Sequence, residues 1–168
     1  KAEIAYYPKD LLQARILTDY LIDTDKDFCV VGCGSDLLAS DHGYNGAVIS
    51  TKKLNKIKYS NGYLYCQSGV KVAKLLTYCK EKGLSGLEYL AGIPATAGGL
   101  AFMNAGINYR HIGQDIVSVT IFDGKLRKLL NSDCNFSNKH STMRDIKCLI
   151  LSIKLKVEQK NPEYVKEK

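Results

Sequence analysis

The stretch VVGCGSDLLASDHGYNGAVIS, residues 30–50, places Gly32-Cys33-Gly34-Ser35-Asp36 directly after two valines that end a strand-like run. Glycine tolerates positive φ and carries no Cβ, so successive N–H groups of a Gly-x-Gly turn can face one anion. The stretch is neither the G-x-G-x-x-G fingerprint, because residue 37 is leucine, nor a P-loop. Taken alone, the stretch fits a phosphate-binding loop and a purely structural strand-to-loop turn equally well.

A second glycine-rich loop lies further along the chain, at Gly92-Ile93-Pro94-Ala95-Thr96-Ala97-Gly98-Gly99. It again offers backbone amides, together with a stiffening proline and one hydroxyl. Two such loops in one small chain predict a ligand with more than one phosphate, or with a phosphate and a flat ring. The long apolar region around this loop, residues 84–113, has no clean period, which is typical of a binding loop.

The rest of the chain alternates between helical and strand patterns. Residues 10–22 predict an amphipathic helix, since Leu12, Ile16 and Tyr20 recur at helical spacing. This helix lies between two strand-like runs, which suggests a parallel βαβ unit. Asn61-Gly62 and Asp123-Gly124 predict two hairpins, and residues 72–82 predict a second helix that ends at Gly83. The pattern predicts an α+β protein with subdomains at 1–50 and 51–158 and a polar tail or linker at 159–168.

Composition narrows the function classes. The chain has 168 residues, of which 45% are hydrophobic, and no long apolar run, so we expect a soluble protein with a real core and no membrane partner. The net charge is +7, but the lysines are scattered without interleaved aromatic residues, which argues against a nucleic-acid partner. The six cysteines form no C-x-x-C pair, so we expect reduced thiols in the cytoplasm and no metal site.

Three quoted stretches carry a resemblance that spans about residues 1–158. They are VVGCGSDLLASDHGYNGAVIS, YLYCQSGVKVAKLLTYCKEKG and GLSGLEYLAGIPATAGGLAFMNAG, in that order. They resemble the FAD-binding domain of the UDP-N-acetylenolpyruvoylglucosamine reductase (MurB) family, whose motifs run G-x-G-S-N-L-L, G-I-P-[GA]-[TS]-x-G-G and N-A-G-x-Y. Asp36 departs from the usual asparagine of the first motif.

The resemblance implies a fold of the vanillyl-alcohol-oxidase / p-cresol-methylhydroxylase type, in which two α+β subdomains hold FAD. It also implies a cofactor site. The residues that would contact the pyrophosphate or line the flavin are Gly32, Cys33, Gly34, Ser35, Asp36, Gly92, Ile93, Thr96, Gly98, Gly99, Asn104 and Ala105.

The activity implied by the resemblance is the NADPH-dependent reduction of UDP-N-acetylglucosamine enolpyruvate in peptidoglycan precursor synthesis. Lys139 stands where the family has an arginine that stabilises the intermediate, and Tyr109 matches the family's tyrosine after Asn-Ala-Gly with one inserted residue. A lysine keeps the positive charge but not the bidentate grip of a guanidinium. We interpret Lys139 and Tyr109 as the candidate catalytic residues.

The family's proton-donating serine belongs to a Gly-Ser-x-Phe-x-Asn-Pro segment, and nothing after Val157 resembles it. Two interpretations follow. The chain is the FAD domain of a UDP-N-acetylmuramate dehydrogenase-like oxidoreductase whose C-terminal catalytic domain is absent from this chain. Alternatively, it is a truncated, degenerate homologue that acts as a flavin-binding or structural module without reductase activity.

Overall fold

The computed structural model describes residues 2–160, and its elements mix helices with short strands. The helices are α1 (Leu11–Asp23), α2 (Val72–Lys82) and α3 (Ala97–Met103). The strands are β1 (Ala2–Tyr6), β2 (Phe28–Val31), β3 (Tyr44–Ser50), β4 (Ile57–Ser60), β5 (Tyr63–Gln67), β6 (Leu84–Ser85), β7 (Gly106–Ile107), β8 (Arg110–His111), β9 (Ile116–Phe122), β10 (Leu126–Leu130), β11 (Leu149–Lys156) and β12 (Glu158–Gln159).

The first sheet has the order β1-β3-β2 and is parallel throughout. The predicted strand–helix–strand unit therefore exists, but β1 and β2 do not pair with each other. β3 lies between them because its residues Ala47 and Ile49 are fully buried and belong at the centre of the sheet. Since β2 and β3 run in the same direction, Gly32 after β2 and Thr51 after β3 leave the sheet at the same end, where the Thr51 N–H donates to the Val31 carbonyl.

Helix α1 forms as predicted, with Asp10 as its N-cap accepting from the Gln13 N–H at 2.8 Å. The face that it buries consists of Ala14, Thr18 and Leu21. The stripe of Leu12, Ile16 and Tyr20 points away from the sheet, and these side chains are 63%, 62% and 55% exposed. The period predicted the helix correctly, whereas its buried face contains only one large apolar residue, Leu21, beside Ala14 and Thr18, and so does not stand out as a hydrophobic stripe.

The second sheet is antiparallel, with the order β10-β9-β11-β5-β4. Both predicted hairpins are confirmed, with positive φ at Asn61 (52°), Gly62 (77°) and Gly124 (92°). Helix α2 is confirmed as well, and it ends at Gly83, which adopts the left-handed conformation.

Two clusters of buried side chains form the core. The larger one packs α2, α3 and residues of the second sheet, and the smaller one packs α1 against the first sheet. Phe122, Leu149 and Leu151 of the second sheet complete the smaller cluster. Because the second sheet completes the first core, the two units pack directly on each other, and the division into 1–50 and 51–158 stays a prediction.

The region 84–113, which the sequence predicted to be a long apolar binding loop, contains the short helix α3. Two consecutive glycines, Gly98 and Gly99, lower the helix propensity here. Tertiary packing outweighs that cost: Gly98 and Leu100 are buried, and a Cβ on Gly98 would lie only 2.9 Å from the Cβ of Ser68.

The first two residues of the predicted tail are hydrogen-bonded to the fold, because Gln159 belongs to β12, which pairs antiparallel with Leu84–Ser85, and the Lys160 N–H donates to the Gly83 carbonyl. Residues 161–168, which include Asn161-Pro162, lie outside the described residues. Across residues 2–160, the helices are all too short or too polar to traverse a lipid bilayer.

Candidate functional site

A cavity of about 380 Å³ lies between the two sheets, within the size range of roughly 300–1,000 Å³ that is usual for small-molecule sites. One side is formed by β2 and the residue after it, and the other by α3 and the second sheet. The lining residues are Phe28, Cys29, Val30, Gly32, Leu37, Thr51, Ser68, Thr96, Gly98, Gly99, Phe102, Met143, Arg144, Ile146, Lys147, Cys148 and Ile150. This wall is mostly apolar, with a few hydroxyls and two cations.

The first glycine loop lies at the mouth of this cavity. Gly34 has φ of +78°, a conformation that favours glycine, and its neighbours Cys33, Ser35 and Asp36 are exposed. Gly32 lines the cavity itself, and a Cβ there would lie 2.4 Å from Thr96 Oγ1. Any larger residue at position 32 would therefore require the Thr96 side chain to shift.

The second glycine loop closes on the first. The Pro94 carbonyl accepts a 2.5 Å hydrogen bond from Ser35 Oγ, and Gly92 has φ of +83°. Thr96 caps α3, since its Oγ1 accepts from the Gly99 N–H at 3.3 Å. Of the predicted cofactor residues, the structure thus brings Gly32, Thr96, Gly98 and Gly99 to the cavity wall, while Cys33–Asp36 connect the two wall residues Gly32 and Leu37.

Asn104 and Ala105, predicted to lie near the flavin ring, are not part of the cavity wall. Asn104 is 5% exposed, ends α3 in the left-handed conformation, and uses its amide internally. Its Oδ1 accepts from the Gly113 N–H at 2.9 Å, and its Nδ2 donates to the Ser137 carbonyl at 2.7 Å. The Asn104 side chain therefore connects the loops of Gly113 and Ser137, which is a structural role. Contact of Asn104 and Ala105 with the cofactor stays a prediction. Gly92 and Ile93 likewise lie outside the wall.

The two candidate catalytic residues are not brought into the cavity either. Tyr109 is 96% exposed with φ of +67°, and Lys139 is exposed with φ of +51°. Lys139 nevertheless touches the site through its backbone, because its carbonyl accepts a 2.5 Å hydrogen bond from Arg144 Nη1. Their catalytic roles remain predictions.

Arg144 and Lys147 are cavity residues that the sequence did not single out. The Arg144 guanidinium carbon lies 6.0 Å from the centre of the Phe102 ring, and Lys147 Nζ lies 3.3 Å from Asp27 Oδ1 and 5.2 Å from the centre of the Phe28 ring. The available signal was their position, one and four residues after Met143, in a segment leading into the last long strand. Because both residues are far from the glycine loops in the sequence, the sequence does not show that they share a cavity wall with residues of these loops.

Two cysteines in the cavity wall are held as neutral thiols. Burial raises the pKa of the Cys29 thiol above its usual value, and burial, followed by the charge of Asp123, raises the pKa of Cys148 to about 12. All six cysteines are free in the structure. Among residues 2–160 there is no group of three or more histidine, cysteine or acidic side chains that could hold a metal ion.

Known proteins are similar to this chain over almost its whole length. The model of a family described as FAD binding domain matches residues 2–127. A UDP-N-acetylenolpyruvoylglucosamine reductase from Lactococcus lactis subsp. cremoris is 31% identical over 166 residues, which cover 98% of this chain and 56% of that protein. The chain spans about half the length of the curated relatives it matches.

Solved structures agree on the fold. The UDP-N-acetylenolpyruvylglucosamine reductase (MurB) from Thermus caldophilus superposes with a TM-score of 0.81 at 23% identity, covering 97% of this chain and 58% of that one. A cholesterol oxidase from Brevibacterium sterolicum superposes with a TM-score of 0.66 at 12% identity, covering 92% and 34%. These similarities confirm the resemblance read from the motifs and the predicted fold class.

Proposed function

Because the chain belongs to the family of FAD binding domains, we propose that it is the cofactor-binding half of a UDP-N-acetylenolpyruvoylglucosamine reductase. The relatives bearing that name are about twice as long as the matched region, so the activity of the whole enzyme is part of the proposal.

The observation that carries the proposal is the meeting of both glycine loops at one cavity between the sheets. Gly32 leaves no room for a Cβ against Thr96, which brings the backbone of the first loop to the cavity edge. Ser68, a wall residue only 1% exposed, has a hydroxyl without a hydrogen-bond partner among the described residues. A close backbone approach, an apolar wall and an unpaired buried hydroxyl suit a ligand with a flat heteroaromatic ring and an anionic tail.

The residues present fit FAD. The apolar wall of Phe28, Val30, Met143 and Ile150 would enclose the ring system, while the exposed loop Gly32–Asp36 would approach the pyrophosphate. When bound, FAD supplies the ability to accept and donate hydride. Arg144 and Lys147, whose side chains are exposed at the cavity edge, would contribute positive charge beside the anionic ligand, an interaction that salt screens.

The proposal extends to the reaction partners. NADPH would be the reductant and UDP-N-acetylglucosamine enolpyruvate the substrate, in the cytoplasm. Lys139 would supply a cation for the substrate carboxylate and Tyr109 a hydroxyl near it, although both side chains face solvent in this half of the molecule. We propose no residue within 2–160 as the proton donor of the reaction.

Flavin retention tests the proposal. Purified protein is desalted with and without added FAD, and its visible absorption spectrum is then measured. Retained flavin absorbance with about one FAD per chain supports the binding site, and loss of all flavin at micromolar protein would contradict it.

Anaerobic addition of NADPH then tests the reductase part. Bleaching of the bound flavin supports reduction by this chain. Retained colour without bleaching by NADPH, but with bleaching by dithionite, would instead identify a flavin-binding module without reductase activity.

A further inference from the structure

Helix α1 turns a seven-residue face toward solvent, on the side opposite the sheet. We define the outer face of α1 by the six exposed residues of the helix together with the exposed Lys9, which lies two residues before its first residue; the helix residues are Leu12, Gln13, Ile16, Asp19, Tyr20 and Asp23. At 3.6 residues per turn, the helical members occupy an arc of about 120°. None of the seven lines the cofactor cavity, so the face is separate from the proposed FAD site.

The centre of this face is apolar. Leu12, Ile16 and Tyr20 follow one another at four-residue intervals and are all more than half exposed. Single exposed apolar residues are common on proteins, but a continuous row of three large ones on a helix is typical of an interaction surface.

The arrangement of residues around Ile16 is self-complementary. If two copies of α1 pack antiparallel with a two-fold axis at Ile16, residues equally far from Ile16 face each other. Leu12 then lies opposite the partner's Tyr20, and Gln13 lies opposite the partner's Asp19. A two-fold axis repeats each contact, so one favourable pair always counts twice.

The charged residues of the outer face of α1 also favour the antiparallel pair. In the same antiparallel pair, Lys9, which immediately precedes the N-cap Asp10, lies near the C-terminal end of the partner helix, where the partner's Asp23 and the helix dipole are both negative. Within residues 2–160, the side chains of Lys9, Asp19 and Asp23 form no ion pair. A parallel pair would place Asp19 and Asp23 beside their own copies, which like-charge repulsion disfavours.

We propose that the outer face of α1 binds a second copy of this chain as an antiparallel, two-fold symmetric helix pair. One face of a 13-residue helix is smaller than the roughly 1,200–2,000 Å² of a standard stable interface, so the dimer is expected to dissociate at micromolar concentrations.

Sedimentation velocity of the full chain, over about 1 to 300 µM, tests the dimer. We expect a concentration-dependent shift from monomer to dimer, and we expect Ile16→Asp to raise the dissociation constant at least about tenfold. Leu130→Asp is the matched control, because Leu130 is 54% exposed at the end of β10, pairs with Ser118 and is not part of the outer face of α1, so it should leave the constant unchanged. Circular dichroism confirms that each variant is folded.

A charge exchange tests the geometry. Lys9→Asp and Asp23→Lys should each weaken the dimer, while the double variant K9D/D23K should restore it, since the pair is re-formed with opposite signs. A wild-type chain that stays monomeric at 300 µM would overturn the proposal and leave the face to another partner. A dimer that persists in Ile16→Asp, or no recovery in the double variant, would overturn it as well.

Discussion

Ser35 Oγ donates a hydrogen bond of 2.5 Å to the carbonyl oxygen of Pro94, 59 residues away in the sequence. This bond fastens the first glycine loop to the second at the mouth of the cavity. Together with the close approach of Gly32 to Thr96, this bond connects the two loops. The first loop follows a strand of the first sheet, whereas the second leads into α3, which packs with the second sheet.

Ser35→Ala removes the bond between the loops without changing the backbone. One such hydrogen bond is worth about 1 kcal/mol, so FAD affinity should fall roughly five- to tenfold. Ser40→Ala is the control, because Ser40 Oγ accepts only from the nearby His42 N–H. Fluorescence titration with FAD measures both constants. Equal affinities for the two variants would show that the bridge does not support the site.

Gly34→Ala tests whether the first glycine loop binds the cofactor, and Gly62→Ala is its control because the two glycines have nearly the same φ. Gly34 and Gly62 have φ of +78° and +77°, and neither has an atom close enough to clash with a Cβ. Each alanine should cost about 1 kcal/mol of unfolding free energy from left-handed backbone strain. Only Gly34→Ala should also reduce FAD affinity, by at least about tenfold. Urea denaturation and FAD titration measure the two quantities. If Gly62→Ala weakened FAD binding as much, the assignment of the first glycine loop to cofactor binding would be wrong.

Arg144→Met removes a cation from the cavity wall while keeping a similar apolar volume. FAD affinity should fall about tenfold, and its decrease with added salt should become shallower because one charge interaction is lost. Lys125→Met, on an exposed turn outside the cavity, is the control and should change neither quantity. Titrations at low and high salt measure both. Unchanged affinity and salt dependence for Arg144→Met would exclude its guanidinium from cofactor binding.

Asn104→Ala should destabilise the fold. Its buried amide loses hydrogen bonds to Gly113 and Ser137, and the Gly113 N–H is left without a partner, at a cost of about 2–3 kcal/mol. Asn135 has the same φ of 44°, but its side chain is exposed and donates only a solvent-accessible 3.2 Å hydrogen bond to Thr142 Oγ1, so Asn135→Ala controls for backbone strain and should cost about 1 kcal/mol. Urea denaturation compares the two. Equal costs would mean that the buried amide contributes little.

Thiol labelling at about pH 8 should distinguish Cys33 from the wall cysteines. Cys33 is exposed in the first glycine loop, so it should react fast. Cys148, whose pKa is raised to about 12, stays protonated at that pH and should react slowly, because only the thiolate is nucleophilic. Ellman's reagent measures the rates. Added FAD should slow the fast phase, and Cys33→Ser should abolish it; a fast phase that FAD leaves unchanged would separate Cys33 from the cofactor site.

Local patterns predicted much of the fold. The hairpins at Asn61-Gly62 and Asp123-Gly124 and the helix end at Gly83 were predictable because these residues determine backbone conformation within a few positions. Helix α3 was missed, since its stability comes from packing against Ser68 and not from the propensity of Gly98-Gly99. The outward direction of the Leu12–Ile16–Tyr20 stripe was equally invisible, because periodicity reveals a face but not what covers it.

By itself, the sequence determined the two glycine loops, their order along the chain and, through its motifs, the family and the cofactor class. Only the tertiary structure decided which residues meet. It brought Gly32 to Thr96 and Ser35 to Pro94, placed Arg144 and Lys147 in the cavity wall, and left Lys139 and Tyr109 facing solvent. The physical reason is that glycine and turn preferences act locally, whereas the cavity arises from packing between two sheets whose residues are far apart in sequence.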